Sequence, residues 1–454
     1  MTNIPGAAAR PGSTKVLIGL CFAAIAFDGF DLVVYGAVVP ELLGYDAWNL
    51  TPETTGTIGS LALLGMLVGA LSIGYLSEIV GRRRIMIGTV SAFSALMLLC
   101  AVAPSPEVFG LFRFLAGIGL GGAIPTAIAL TVEFSTPARR NLNNAVMFAG
   151  YGVGGIAAAL AAIAFLDHIG FRGMMAIGGL PLVLVVPLLW RYIPESPSYL
   201  TNRGRHDEAA QVRAQYGLPT PTGAPGSGPS GAVPLSQRLE TLARGRWLAA
   251  TVLFSVAGIA GQTLVYGLNT WLPQLMVMAG YSLKSSLTFL LTVNIGAIAG
   301  AILSSYLADR IGPRPVTIAS FVTSGAALLL VGMGSAPVAV LYLLIAAVGF
   351  GSIGAQILVN GFVATYYPDT SRASALGITL GLGRLGAILA ISGGGWIIAA
   401  ELTTYLNFAI LAVAAVVGMV AIALIPIATA PRISAGSTSS PLESSRKSPG
   451  SVQV

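Results

Sequence analysis

Residues 54–103 read TTGTIGSLALLGMLVGALSIGYLSEIVGRRRIMIGTVSAFSALMLLCAVA. The stretch is two apolar runs, 54–77 and 85–103, joined by a short loop that carries Arg82, Arg83 and Arg84. Each run has the ~20 residues that an α-helix needs to cross ~30 Å of hydrocarbon. In lipid the backbone N–H and C=O groups find no water, so such runs bond internally as helices. The loop between them is too short for a folded element and carries the positive charge that stays out of the bilayer. A helix, a basic loop and a second helix form the unit from which the rest of the chain is read.

Working outward, apolar runs recur near 16–41, 108–132, 142–166 and 173–193. A polar stretch from Pro194 to Arg246 follows, and then runs near 247–278, 284–308, 314–333, 338–366, 372–397 and 402–427. The polar stretch contains PTPTGAPGSGPSG (219–231), the composition of a flexible linker. The expected fold is an all-α membrane protein with 12 transmembrane helices in two pseudo-symmetric six-helix bundles. The bundles are expected at 1–193 and 247–430, with a linker at 194–246. The tail 431–454, rich in Ser, Pro and Gly, is expected to be disordered and cytoplasmic.

Composition agrees with lipid as the solvent. The chain is 55% hydrophobic and 9% charged, whereas soluble proteins carry about 25% charged residues. The net charge of +7 does not mark a nucleic-acid binder, because the basic residues sit in the short segments between apolar runs. With the N-terminus inside, all but four of the 24 Lys and Arg fall on the inner side or its loops. Arg172 and Lys284 lie outside, and Arg113 and Arg384 lie within runs. The excess of basic residues on one side puts both termini in the cytoplasm. Cys21 and Cys100 lie in apolar runs and His168 and His206 in connecting segments, so no disulfide, metal site or cofactor is expected. No cleavable signal peptide is evident before the first run.

The halves echo each other. Glu78-Ile79-Val80-Gly81 answers Asp309-Arg310-Ile311-Gly312 at an offset of 231. Gly117, Gly119 and Gly122 answer Gly349, Gly351 and Gly354 at an offset of 232. Two matches at nearly one offset point to a duplicated six-helix unit.

GYLSEIVGRRR (74–84) and its echo SYLADRIGPR (305–314) resemble the paired loops of the major facilitator superfamily. The first copy departs from the usual Asp by carrying Glu78. RFLAGIGLGGAIP (113–125) and IPESPSYL (193–200) resemble motifs shared with sugar porters and organic-ion transporters, with Ser198 where PESPR has Arg. FDGFDLVVYGAVVP (27–40) resembles the DGxD signature of the aromatic acid:proton symporter family, and GLGRLGAI (381–388) fits the same family. Tyr35 resembles the benzoate and gentisate branch. The resemblance implies a monomer in the bacterial inner membrane that imports a small aromatic carboxylate with protons. A sugar or other organic-ion symporter is the alternative. GYGVGGIAAAL (150–160) lacks the proline of the drug antiporter signature. No nucleophile–base or metal constellation of an enzyme is present.

Four ionisable residues lie well inside the runs: Asp28, Asp31, Arg113 and Arg384. Each costs at least ~2.5 kcal/mol at a helix centre. Asp28 and Asp31 are three apart and share a helix face, and two carboxylates so close repel, which favours proton uptake by one of them. The resemblance makes Asp31 the carrier of the coupling proton, gated by Arg113 and assisted by Asp28. Arg384 has no counterpart in the first half, where the equivalent position is Gly152. A guanidinium binds a carboxylate through two parallel hydrogen bonds, so Arg384 is the candidate for the substrate carboxylate. Pairing with an aspartate of the first span is the alternative. Tyr35, Tyr266, Asn269, Trp271, Gln356 and Asn360 are candidates for the remaining pocket wall, with helix packing as their alternative.

The motif loops are expected to gate. Gly74, Glu78, Gly81, Arg82 and Arg83 form the first loop, and Asp309, Arg310, Gly312 and Arg314 the second. By resemblance their charges clamp the cytoplasmic side, with Glu133 joining the first clamp through Arg139 or Arg140.

Overall fold

The computed structural model describes residues 13–136, 139–218, 242, 244–334 and 336–426. The middle of the expected linker and the expected disordered tail lie outside the described residues. The helices are α1 (Thr14–Leu43), α2 (Pro52–Val80), α3 (Arg82–Ala101), α4 (Pro106–Glu133), α5 (Arg140–Gly178), α6 (Pro181–Leu184), α7 (Val186–Tyr192), α8 (Pro197–Asn202) and α9 (His206–Tyr216). After the linker come α10 (Gly245–Met278), α11 (Leu283–Ile311), α12 (Pro313–Gly332), α13 (Val338–Tyr366), α14 (Asp369–Ala399) and α15 (Thr404–Leu424). No strand occurs among the described residues.

Local chemistry sets several helix starts. The Thr51 side chain caps α2 by accepting from the Thr54 backbone, with Pro52 at the first helical position. Ser105 caps α4 in the same way, ahead of Pro106. Both motif loops turn on one glycine. Gly81 (φ 109°) ends α2 and starts α3, and Gly312 (φ 94°) does so between α11 and α12. These positive φ values would strain any residue with a Cβ.

Among the described residues eleven helices are long and apolar enough to cross a membrane. The sixth expected run, 173–193, is not one helix among the described residues. α5 has 39 residues, about 58 Å at 1.5 Å per residue, too long for one crossing. It breaks at Gly170 (φ 63°, ψ −179°). Beyond the break the chain runs back along α3. Arg172 donates to the carbonyls of Ala101 and Ala103 at one end of α3, Gly178 packs on Met97, and Arg83 donates to the Trp190 carbonyl at the other end. This return is made in pieces because Gly178, Gly179, Pro181 and Pro187 interrupt its hydrogen-bond ladder.

Within the first half α1 packs on α5, and α2 and α3 on α4; within the second α10 packs on α14, α11 on α13, and α12 on α13 and α15. Between the halves α2 meets α14, α1 meets α10, and α5 meets α11. The halves touch closely at the end that carries Thr51. A Cβ at Gly36 would fall 1.8 Å from the Asn269 carbonyl oxygen, and one at Gly395 would fall 2.4 Å from that of Pro52. Toward the motif loops the contact opens: a Cβ at Gly377 or Gly381 of α14 would meet nothing within 4 Å.

Candidate functional site

Between the halves lies a central cavity. Its wall includes Asp28, Asp31 and Tyr35 of α1, Met66 of α2, Arg113 of α4, Tyr151 of α5, Tyr266 and Thr270 of α10, and Ile391 of α14. Its free space in this conformation is about 20 Å³, room for one water.

The two acids on α1 differ in their surroundings. Asp31 forms an ion pair with Arg113, and both are almost fully buried. The Arg113 guanidinium also lies over the Tyr35 ring, 4.9 Å from its centroid, and 3.7 Å from the Met97 sulfur. The Tyr35 hydroxyl donates to the Thr55 carbonyl (2.5 Å). Asp28 is 3% exposed, and its Oδ2 has no hydrogen-bond partner.

Arg384 approaches from α14. Its Nη1 donates to the Tyr266 hydroxyl (3.1 Å) and lies 3.9 Å from the Met66 sulfur. It forms no ion pair among the described residues. Thus a guanidinium beside the central cavity contacts a phenol and a thioether, while the first half's guanidinium is held by a carboxylate.

The structure brings Asp28, Asp31, Arg113, Tyr35 and Tyr266 to one cavity wall, with Arg384 bonded to that wall. Asn269 bonds instead to the Val265 carbonyl and to Asn294, and the Trp271 indole N–H donates to the Ile391 carbonyl. Neither they nor Gln356 and Asn360 are on the cavity wall. Gln356 packs against Gly261, and its Oε1 and the Oδ1 of Asn360 are buried without partners. Sequence reasoning missed Tyr151, whose ring lines the cavity beside Tyr266 and Asp28. Its only signal was a polar ring within the glycine-rich run 150–155.

The motif loops differ from expectation. Glu133 pairs with Arg82 (2.8 Å), not with Arg139 or Arg140, which are exposed. The α4 terminus faces the α2–α3 turn, whereas Arg139 and Arg140 begin α5. Glu133 also accepts from the Ser196 hydroxyl and the Ser198 backbone, both at 2.6 Å. Glu195 accepts from the backbone of Arg83 and of Ser196 (both 3.0 Å). The PESPSY segment is thereby tied to the loop. Glu78 is exposed and forms no ion pair among the described residues. Gly74 lies within α2. In the second loop Asp309 is exposed without an ion pair among the described residues. Arg310 stacks on Tyr306 (4.5 Å), and Arg314 donates to the Ala423 carbonyl.

The profile of the Major Facilitator Superfamily matches residues 21–303 and 288–449. The chain belongs to the major facilitator superfamily. It is 35% identical over 424 residues to the benzoate transport protein of Acinetobacter baylyi, covering 91% of this chain and 90% of that one. It is 36% identical over 416 residues to the gentisate transporter of Corynebacterium glutamicum (90% and 86%). It is 31% identical over 399 residues to the 4-hydroxybenzoate transporter of Pseudomonas aeruginosa (86% and 87%). Among solved structures, the xylose transporter of E. coli in a partially occluded inward open conformation has the same fold, with a TM-score of 0.74 and 18% identity over 91% of this chain and 99% of that one. The facilitator is a multi-pass membrane protein and a transporter, not an enzyme.

Proposed function

We propose that this facilitator imports a small aromatic carboxylate together with protons, by alternating access. The observation that carries the reading is Arg384. It stands beside a buried cavity with a tyrosine hydroxyl and a sulfur as its contacts and is free of any ion pair among the described residues. A carboxylate is the partner that a guanidinium in a low-dielectric site favours most. Relatives named for benzoate, gentisate and 4-hydroxybenzoate support the aromatic ring. Tyr35, Tyr151 and Tyr266 supply ring faces and hydroxyls to receive it.

The distribution of Lys and Arg supports cytoplasmic termini and motif loops in a bacterial inner membrane. In that orientation the closed end faces outward, and this conformation is the inward-facing one. The ring takes its place as the helices around Met66 and Ile391 separate. Asp31 carries the coupling proton. Protonation removes its charge from Arg113 and loosens the tie between α1 and α4. Asp28, buried beside Tyr151, modulates that exchange. Glu78 and Asp309 stay unpaired while the motif-loop end is open and gain partners in the opposite half when it closes. Substrate and proton shift the equilibrium only so far as they bind the two states differently. The carrier acts as a monomer.

Purified protein in proteoliposomes with an imposed inward-directed proton gradient tests this reading. Labelled benzoate, gentisate, 4-hydroxybenzoate and glucose are offered in turn. At least one aromatic acid should accumulate above its outside concentration, and a protonophore should abolish the excess. Glucose accumulation without aromatic-acid uptake would overturn the substrate class, and gradient-independent accumulation would overturn the coupling.

A further inference from the structure

A second cavity of about 130 Å³ lies within the C-terminal half, between α10, α14 and α15. It is separate from the central one. Tyr266 and Thr270 of α10 face the central cavity, and Gly267 and Trp271 face this one. Its wall is apolar except at Thr263, Trp271 and Asn407. The Thr263 hydroxyl is engaged by the carbonyls of Ile259 (2.9 Å) and Gly386 (3.2 Å), and the Trp271 indole N–H by that of Ile391 (3.0 Å).

Asn407 is different. It is 3% exposed, and its Nδ2 donates to the Leu402 carbonyl (3.3 Å), which fixes the orientation of the amide. Its Oδ1 is buried without a donor. A water is a poor occupant, because a buried water makes about three hydrogen bonds and this wall offers one free acceptor. A lipid chain would fill the space but donates nothing. The cavity lies among Leu389 (65% exposed) and Ile410 (38% exposed), which face the bilayer. Its volume suits one six-membered ring, since an apolar cavity of ~150 Å³ takes up benzene.

We propose that this cavity is a second site, reached from the bilayer, for an uncharged single-ring aromatic that carries a hydroxyl donor, a phenol or a protonated aromatic acid. The hydroxyl donates to Asn407 Oδ1 and the ring lies against Trp271 and Leu411. An occupant here bears on α10 and α14, the helices that carry Tyr266 and Arg384.

Binding of para-fluorophenol and of fluorobenzene to the purified full-length protein, followed by fluorine NMR, tests the site without any transported substrate, so its outcome is independent of the transport reading. Both probes should bind the wild type. Asn407→Leu should weaken the phenol about fivefold, the loss of one neutral hydrogen bond, and leave fluorobenzene unchanged. Ala390→Leu, which adds bulk from α14 and keeps the amide, should remove both. Phenol binding as tight in Asn407→Leu as in the wild type, or no binding to the wild type, would overturn the proposal. So would a phenol signal that persists in Ala390→Leu or that vanishes in Arg384→Ala, since it would then come from another place.

Discussion

The two halves share a fold but not a charge economy. In the first half two cations are paired with acids, while the Arg83 side chain has the Trp190 carbonyl. Arg113 has Asp31, and Arg82 has Glu133, with Glu195 holding the Arg83 backbone. In the second half Arg384 has a phenol hydroxyl, and Arg314 has a backbone carbonyl. The position 232 residues after Glu133 is Thr365, so the acid that ties down the first motif loop has no equivalent in the second. A duplicated unit starts with like parts. Where the copies diverge in charge, one has become a closed electrostatic frame and the other holds a cation without an ion pair among the described residues.

The strongest way to break this comparison is at Asp31. Asp31→Asn leaves Arg113 buried without a counter-charge, a loss of about 3–5 kcal/mol for a broken buried pair. Uphill accumulation in proteoliposomes should vanish, while exchange down a gradient persists. The double variant Asp31→Asn with Arg113→Gln should recover thermal stability and still fail to accumulate. If the single variant accumulates substrate normally, the buried pair of the first half is scaffold and has no part in coupling.

Arg384→Lys comes next and probes the other side. An ammonium keeps the charge but loses the second parallel hydrogen bond to a carboxylate. Hydrogen bonds to charged groups contribute about 1.5–3 kcal/mol, so affinity for the aromatic acid should fall roughly ten- to a hundredfold. The unfolding midpoint should move little, because the ammonium keeps the charge that Asp28 feels and no ion pair among the described residues is lost. Unchanged affinity with a lower midpoint would make Arg384 a structural group like Arg113 and erase the contrast.

Much of this contrast is legible in the sequence. Hydropathy located the spans because lipid forces each run to satisfy its own backbone. Asp31, Arg113 and Arg384 stood out because a charge in such a run is expensive wherever it sits. What depends on which residues face each other was not legible. The sixth run is apolar throughout, so hydropathy passes over Gly178–Gly179 and Pro181, where the helix breaks. Proximity along the chain points Glu133 to Arg139 or Arg140, yet its partner lies 51 residues back. Asn269 and Trp271 share α10 with Tyr266 but face away from the central cavity, because facing changes by about 100° per residue. Tyr151 escaped for the same reason.

The motif loops carry a smaller effect. Glu133→Gln keeps the size of the side chain and removes the charge that holds Arg82 and the Ser196–Ser198 segment. Arg82 keeps 25% of its side-chain surface exposed, so the loss should be about 1–2 kcal/mol, at the low end for charged hydrogen bonds. It should appear as a lower unfolding midpoint. Asp309→Asn, at an exposed acid without an ion pair among the described residues, should leave the midpoint where it was. Equal losses from the two would mean that the second loop is held as firmly as the first.

The smallest effect comes from adding what the second half lacks. Tyr366 lies close enough to Arg314 to feel its charge, and Thr365 is its neighbour on α13. Thr365 is exposed, and its hydroxyl donates to the carbonyls of Gly361 and Phe362 in its own helix, so Thr365→Glu disturbs no contact between helices. An exposed ion pair is worth less than about 1 kcal/mol and is screened by salt. The gain should therefore be slower hydrogen exchange at residues 309–316 at low ionic strength, fading as salt is added. Because the added pair stabilises the conformation in which it forms, it should also slow transport slightly by holding back the change of state. Slower exchange that does not respond to salt would come from altered packing, and the charge difference between the loops would then not explain their different anchoring.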